Sequence, residues 1–136
     1  MELQGRLIVV TGASSGLGRE LALRLARVEH ADVVLAARRR ERLESVQDEI
    51  ARLGRTAWIC EVDLSASDGP GRLLAAAREA AGEHGEPAGS LPFGLVNNAG
   101  VTWYGRTADM SSEDLSRIID LNVAATMELT RLFLNE

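Results

Sequence analysis

The chain has 136 residues, a length that predicts one domain over residues 1–136. Its net charge of −5 disfavours nucleic acid and anionic membranes as partners, because both are polyanions. No apolar run approaches the roughly 18–20 residues that cross a bilayer, and the first residues lack the pattern of a secretory signal. The single cysteine, Cys60, cannot form an internal disulfide, so we expect a cytoplasmic protein.

Short apolar runs alternate along the chain with stretches of helical periodicity. Strands are predicted at residues 7–10, 33–37, 58–62 and 93–97. Helices are predicted from residue 17, from residue 43 to a cap at Gly54, from Pro70 towards Gly82, and from Ser111 to the chain end. Residues 82–90 are predicted to form a mobile surface loop. This alternation is typical of the α/β fold class, with a parallel sheet in a three-layer α/β/α arrangement.

The segment between the first strand and the first helix, residues 11–18, has the spacing Gly-x-x-x-Gly-x-Gly. Gly12 permits a tight turn, Gly16 lets the backbone approach a pyrophosphate, and Gly18 lets the helix pack close to the sheet. The backbone N–H groups at a helix N-terminus favour an anion. We therefore predict a Rossmann-type, doubly wound dinucleotide site, although a tight turn without a ligand is the alternative on these residues alone. The predicted contacts of this loop are Gly12, Ser14, Ser15, Gly16, Leu17 and Gly18.

The residues that end the second strand indicate which dinucleotide is bound. An NAD-binding unit carries an acid here that accepts a hydrogen bond from the ribose 2′-hydroxyl, and residues 36–40 contain none. Arg38 or Arg39 could instead bind the 2′-phosphate of NADP(H), with Ser14 as a further donor, and Arg38 could also stack on adenine. We therefore expect NADP(H) to be favoured over NAD(H). The alternative is a solvated basic start to the second helix, although arginines in a first turn oppose the helix dipole.

Two further segments follow strands. Asp63 and Leu64 come after the third strand, where an acid can accept a hydrogen bond from an adenine amino group; a turn or helix cap is equally compatible with an aspartate.

Residues 95–100 read Leu-Val-Asn-Asn-Ala-Gly. Asn97 is expected to hydrogen-bond backbone across the centre of the sheet, and a turn rich in Asn and Gly is the alternative. The residues expected to form a low rim under the cofactor ribose are Asn98, Ala99 and Gly100.

Together with residues 11–18, Asp63-Leu64 and Asn122, the Asn-Asn-Ala-Gly segment resembles the short-chain dehydrogenase/reductase family of NAD(P)-dependent oxidoreductases. The resemblance runs from about Arg6 to the last residue, in the family's order and spacing. It implies hydride transfer between nicotinamide and a small-molecule carbonyl or alcohol substrate, and a homo-oligomer. It also implies that Asn122 is the catalytic asparagine whose backbone holds a water of the proton relay. On residue type alone, an asparagine inside a helix usually faces solvent.

The resemblance further implies a catalytic serine and a Tyr-x-x-x-Lys pair, in which the cation lowers the pKa of the phenol. The chain has one tyrosine, Tyr104, with Ala108 four residues later, and it contains no lysine. Trp103 and Tyr104 lie where the family often lines its substrate mouth, or they are exposed loop aromatics. We therefore expect the first half of a family domain, in a truncated or cleaved form, with a sheet that is incomplete on its C-terminal side.

This first half is expected to be inactive alone. One alternative is an NADP(H)-binding or sensor module without chemistry, and another is a structural domain that binds no nucleotide. His30 and His84 have no metal-ligand spacing with other residues, so no metal site is expected. Cys60 is interpreted as a buried strand residue.

Overall fold

The computed structural model describes residues 2–135. It contains one parallel sheet of four strands in the order β3-β2-β1-β4. The strands are β1 (Leu7–Thr11), β2 (Asp32–Ala37), β3 (Ala57–Glu61) and β4 (Gly94–Val96). The helices are α1 (Gly16–Arg27), α2 (Arg40–Arg52), α3 (Gly69–His84), α4 (Ser112–Ile119) and α5 (Thr126–Leu134). The predicted α/β class with a doubly wound parallel sheet is confirmed.

Helices cover both faces of the sheet, because alternate residues of each strand point to opposite sides. Ile8 and Val10 of β1 pack in one buried cluster with the apolar faces of α1 and α2. Leu7 and Val9 belong to a second cluster with α3 and with Leu129 of α5. The two clusters are separate layers of core on either side of the sheet, which gives the predicted three-layer arrangement.

The strand order reverses direction at β1. The chain moves outward from β1 through β2 to β3, and then returns to place β4 on the other side of β1. Val9 therefore pairs with Val34 on one side and with Leu95 on the other. In open α/β sheets, ligands bind outside the carboxyl ends of the strands at such a switch point.

One predicted boundary needs correction, and two predicted helix caps are confirmed. The third helix extends to His84, and Gly85 follows it with a φ of 101°, so the segment predicted as a loop from residue 82 begins three residues later. Gly54, with a φ of 74°, lies just after α2 as predicted for a C-terminal glycine. The Ser111 side chain accepts a hydrogen bond from the Asp114 N–H, as expected for an N-cap.

The last predicted helix is not one continuous α-helix. Residues Asp120–Ala125 form a π-helical segment between α4 and α5. Such segments insert an extra residue into a helical turn, and they occur often at functional sites. Asn122 lies inside this segment.

A buried polar network lies at the amino ends of β2 and β3, opposite the switch point. The Asp32 carboxylate, in a residue that is 7% exposed, forms an ion pair with Arg55. It also accepts a hydrogen bond from the Thr56 N–H at 2.7 Å and lies 3.2 Å from the His84 Nε2. The network ties the end of α3 to the sheet. Within residues 2–135, no helix is both long and apolar enough to cross a membrane.

Candidate functional site: a cleft at the carboxyl ends of the strands

A cleft of about 320 Å³ opens where β1 and β4 separate at their carboxyl ends. It includes most of the residues that the sequence predicts as cofactor contacts. Those residues are Gly12, Ser14, Ser15, Leu17, Arg38, Arg39, Asp63, Leu64, Asn98, Ala99 and Gly100. Gly16 and Gly18 belong to the same loop and to the first turn of α1, although they do not line the cleft.

The floor of the cleft is held together by Asn98 and Thr11. The Asn98 side-chain amide donates to the backbone oxygens of Thr11 and Gly12, at 3.0 and 3.4 Å. The Thr11 hydroxyl oxygen accepts from the backbone N–H groups of Asn98 and Ala99, both at 2.9 Å. This network joins the end of β1 to the end of β4, so the glycine loop and the Asn-Asn-Ala-Gly segment form one rigid surface.

The prediction for Asn97 is wrong. Its side chain donates to the Thr130 hydroxyl of α5 at 3.1 Å, and Asn98 makes the backbone contacts across the sheet. The strand β4 ends at Val96 rather than at residue 97. Side chains alternate between opposite sides of a strand. Asn97 therefore lies on the side of Leu95, which packs against the cluster of α3 and α5, and Asn98 lies on the side of Val96.

The three glycines of the loop are needed for two different physical reasons. A Cβ on Gly12 would lie 2.9 Å from the Ala99 Cα, and one on Gly18 would lie 2.3 Å from the Gly12 oxygen. Both positions therefore need glycine for close packing of backbone. Gly16 has a φ of 55°, and no atom lies within 4 Å of where its Cβ would be. Gly16 thus leaves open space at the start of α1 that a side chain would partly fill.

The amino end of α1 suits an anion. Ser15, its N-cap residue, forms no side-chain hydrogen bond to the helix backbone, so the first N–H groups keep their capacity to donate to a ligand. The helix dipole adds a partial positive charge at this end. A diphosphate group fits these donors and the space beside Gly16, and this chain's residues are therefore compatible with a dinucleotide.

Two arginines extend the positive charge along the cleft. The Arg39 guanidinium donates from Nη2 to the hydroxyls of Ser14 and Ser15, at 3.3 and 3.2 Å. Among residues 2–135, neither Arg38 nor Arg39 has a carboxylate within ion-pair distance. Arg40 differs, since it pairs with Glu44 at 2.9 Å and approaches Glu61 at 3.8 Å. The cleft thus holds two cations without a carboxylate partner beside two serine hydroxyls.

Asp63 closes the β3 side of the cleft. Its Oδ1 accepts from the Ser65 hydroxyl at 2.6 Å and from the Ser65 N–H at 2.9 Å. The hydroxyl contact is the main reason why the pKa of Asp63 lies below its ordinary value; partial burial opposes the shift, and the Ser65 N–H and the Arg38 charge add to it. Asp63 therefore caps a turn and also presents an ionised carboxylate to the cleft.

Asn122 does not line the cleft, and its side chain does not simply face solvent. It accepts from the Val101 N–H at 2.9 Å and donates to the Val101 oxygen at 2.8 Å. Val101 lines the cleft directly after the Asn-Asn-Ala-Gly segment. Asn122 thus anchors the cleft's β4 side to the π-helical segment.

Sequence reasoning missed seven lining residues. They are Ala36, Ala37, Val62, Ser65, Val101, Arg117 and Leu121. Most are neighbours of predicted contacts, so the strand ends could have included them. Arg117 and Leu121 lie on the helix beyond the loop, and their four-residue spacing is a weak signal that they share a face. Tyr104 lies outside the cleft and is 91% exposed.

The described residues contain no group of three or more His, Cys, Asp or Glu side chains that could hold a metal ion. The thiol of Cys60 is buried in β3, as interpreted from the sequence. Burial raises the pKa of this thiol above its ordinary value, and the Arg72 charge opposes the shift.

Comparison with known proteins assigns the family. The short chain dehydrogenase model matches residues 6–136. The chain belongs to the short-chain dehydrogenase family. The "Uncharacterized oxidoreductase YxnA" of Bacillus subtilis is 34% identical over 121 residues, covering 89% of this chain and 32% of that protein.

Two solved structures have the same fold. A metagenomic short-chain oxidoreductase in complex with NADP is 36% identical, with a TM-score of 0.80 over 98% of this chain and 57% of the other. The landomycin C-6 ketoreductase LanV with bound NADP and rabelomycin is 28% identical, with a TM-score of 0.88 over 98% of this chain and 54% of the other. The chain spans about half the length of these two structures and about a third of YxnA.

Proposed function

We propose that the chain is the cofactor-binding half of an NADP(H)-dependent oxidoreductase that interconverts a carbonyl and an alcohol. The cleft at the switch point carries this proposal, because it combines an uncapped helix N-terminus, a glycine cradle and two arginines without carboxylate partners. When bound, the nicotinamide would donate or accept the hydride. The proposed cofactor contacts are Gly12, Ser14, Ser15, Gly16, Leu17, Gly18, Arg38, Arg39, Asp63, Leu64, Asn98, Ala99 and Gly100.

The preference for NADP(H) over NAD(H) is proposed from the end of β2. Residues 36–40 offer no acid to a ribose 2′-hydroxyl, whereas Arg39 is already oriented by the hydroxyls of Ser14 and Ser15. A guanidinium held in this way loses little further conformational entropy when it binds a phosphate. The two solved relatives named above contain NADP, which supports the same assignment.

Asn122 is proposed as the catalytic asparagine of the complete site. Its side chain is engaged with Val101, so any role in a proton relay falls to its backbone carbonyl within the π-helical segment. The chain has no Tyr-x-x-x-Lys pair, and the 136 residues alone are proposed to bind cofactor without turnover. A small-molecule carbonyl or alcohol is the proposed substrate class, and a cytoplasmic location and a homo-oligomer are proposed with it.

Titration with NADPH, followed by the fluorescence of the reduced nicotinamide, tests the proposal. The chain should bind NADPH more tightly than NADH. Replacing Arg38 and Arg39 together with alanine should weaken NADPH binding by roughly tenfold to a hundredfold and weaken NADH binding less. Arg40→Ala is the matched control, because Arg40 already has carboxylate partners. Equal losses for both cofactors would refute the phosphate assignment.

A second candidate is an NADP(H)-binding or sensor module without chemistry. The absence of lysine from the chain favours it. Both candidates predict NADPH binding, and an NADPH oxidation assay with a panel of ketones on the complete gene product separates them. The third alternative, a structural domain without nucleotide, predicts no fluorescence change at any NADPH concentration.

A further inference from the structure

Arg117 is a cationic residue of the cleft wall that the proposed cofactor contacts do not include. It lies on α4, and it lines the cleft together with Leu121. We propose that Arg117 covers the adenine ring of the bound dinucleotide with the flat face of its guanidinium and so adds affinity for the adenosine half. This inference rests on the proposed function of the cleft.

The two sides of the cleft differ in their chemistry. The α1 side presents hydroxyls and the Arg39 cation, which suit phosphate groups. The β3 side is lined by the largely buried Leu64 and by Asp63, and Leu121 adds a further apolar residue from the π-helical segment. An apolar wall next to a single acceptor suits a flat heterocycle that carries an amino group. Arg117 lines the same cleft one helical turn before Leu121.

One nitrogen of the Arg117 guanidinium is held by Asp114, and the rest of the group is available to a ligand. Its Nη2 lies 3.1 Å from the Asp114 Oδ1, and this is its one ion pair among residues 2–135. Asp114 is itself fixed, because its Oδ2 accepts from the Ser111 hydroxyl at 2.7 Å and its N–H donates to the Ser111 Oγ at 3.0 Å. A single contact leaves the remaining donors and the flat face of the guanidinium unused, and the side chain is 57% exposed.

A planar guanidinium gains more from an aromatic ring than an ammonium does, because it can stack as well as attract. The same group above adenine would also shield the ring from water. The positive charge adds to the field of Arg38 and Arg39 in a cleft that receives a polyanionic ligand.

The chain contains a matched control for the test. Arg131 forms an ion pair with Glu128 at the same three-residue spacing, and its side chain is 58% exposed, but it does not line the cleft. Arg117→Ala, Arg117→Lys and Arg131→Ala are compared with the unmodified chain by calorimetric titration with NADPH and with 2′,5′-ADP. The second probe carries the adenosine half without nicotinamide.

Arg117→Ala should weaken both probes by about two- to fivefold, Arg117→Lys should not restore the loss, and Arg131→Ala should bind as the unmodified chain does. Equal affinity of Arg117→Ala and the unmodified chain would overturn the inference, and so would full restoration by lysine. If Arg117→Ala lowers stability, Arg117→Gln is judged by the same criteria. An unmodified chain that does not bind NADPH refutes the proposed function instead, so the two failures are distinguishable.

Discussion

The side-chain amide of Asn122 pairs with both backbone groups of Val101, at 2.9 and 2.8 Å. An amide matches a peptide group in this way because it offers one acceptor and one donor side by side. The pair joins a loop residue of the cleft to the π-helical segment across 21 positions of the chain. It is a positioning contact for the β4 side of the cleft.

Replacing Asn122 with alanine should lower the free energy of unfolding by about 1–2 kcal/mol, since two hydrogen bonds are lost. Urea denaturation measures the change. The control is Asn97→Ala, which removes one exposed contact to Thr130 and should change stability by less than about 0.5 kcal/mol. If both variants lose the same stability, the pairing with Val101 has no special importance.

Gly18 should not tolerate a methyl group. The Cβ of Gly18→Ala would lie 2.3 Å from both the Gly12 oxygen and the Asn98 Nδ2, so the variant should lose about 1–3 kcal/mol of stability and bind NADPH more weakly. Gly71→Ala is the opposite case, because no atom lies within 4 Å of its Cβ position inside α3. That variant should gain about 0.5–1 kcal/mol from helix propensity. Thermal unfolding of both variants checks the pair, and a stable Gly18→Ala protein would contradict the packing argument.

The buried Asp32 should be far more important for stability than a surface carboxylate. Asp32→Ala leaves the Arg55 side chain, 24% exposed, without its partner, and we expect a loss of about 3–5 kcal/mol in the free energy of unfolding. Glu49→Ala removes the contacts of the Arg19 Nη2 with both Glu49 oxygens, at 2.7 and 2.9 Å. The Arg19 side chain is 37% exposed, so this variant should lose under about 1 kcal/mol. Comparable losses in the two variants would show that the network at the amino ends of the strands is not stabilising.

We expect the thiol of Cys60 to make the folded protein less stable at alkaline pH. Burial raises the pKa of its thiol, so the unfolded chain releases this proton at a lower pH than the folded chain does. The contribution of the protonated thiol to the free energy of unfolding is therefore fully present below about pH 8.5. It decreases as the pH rises through the raised pKa of the folded state. Urea denaturation between pH 8 and 10 should show this decrease, and Cys60→Ala should reduce it. A slope that is identical with and without the thiol would contradict the prediction.

Local pattern was sufficient to predict most of the fold. The central strands β1 and β2 are buried on both faces, so they are continuous apolar runs, and the apolar spacing of α1 and α2 has the ordinary helical period. The π-helical segment Asp120–Ala125 escaped prediction because one inserted residue shifts the period only slightly. The end of β4 was misplaced by one residue, and the backbone contact across the sheet that was predicted for Asn97 is made by Asn98.

The candidate site was predictable where its residues directly follow strands. Gly12, Arg38, Asp63 and Asn98 all occupy such positions, since parallel strands bring their carboxyl ends to one edge. Arg117 follows no strand, and only the packing of α4 beside this edge brings it to the cleft. Contacts of this kind depend on tertiary structure: the four-residue spacing to Leu121 indicates a shared helix face, and it does not indicate which surface that face meets.

The strand β1 lies between β2 and β4, and like β2 it contributes side chains to both cores. Its five residues are all buried, and the four apolar ones alternate between the two helical layers. Both layers therefore pack against the same strand, and the separation of one layer would expose one side of that strand. Loss of either core should therefore remove support from the other, and the molecule should melt in one cooperative step.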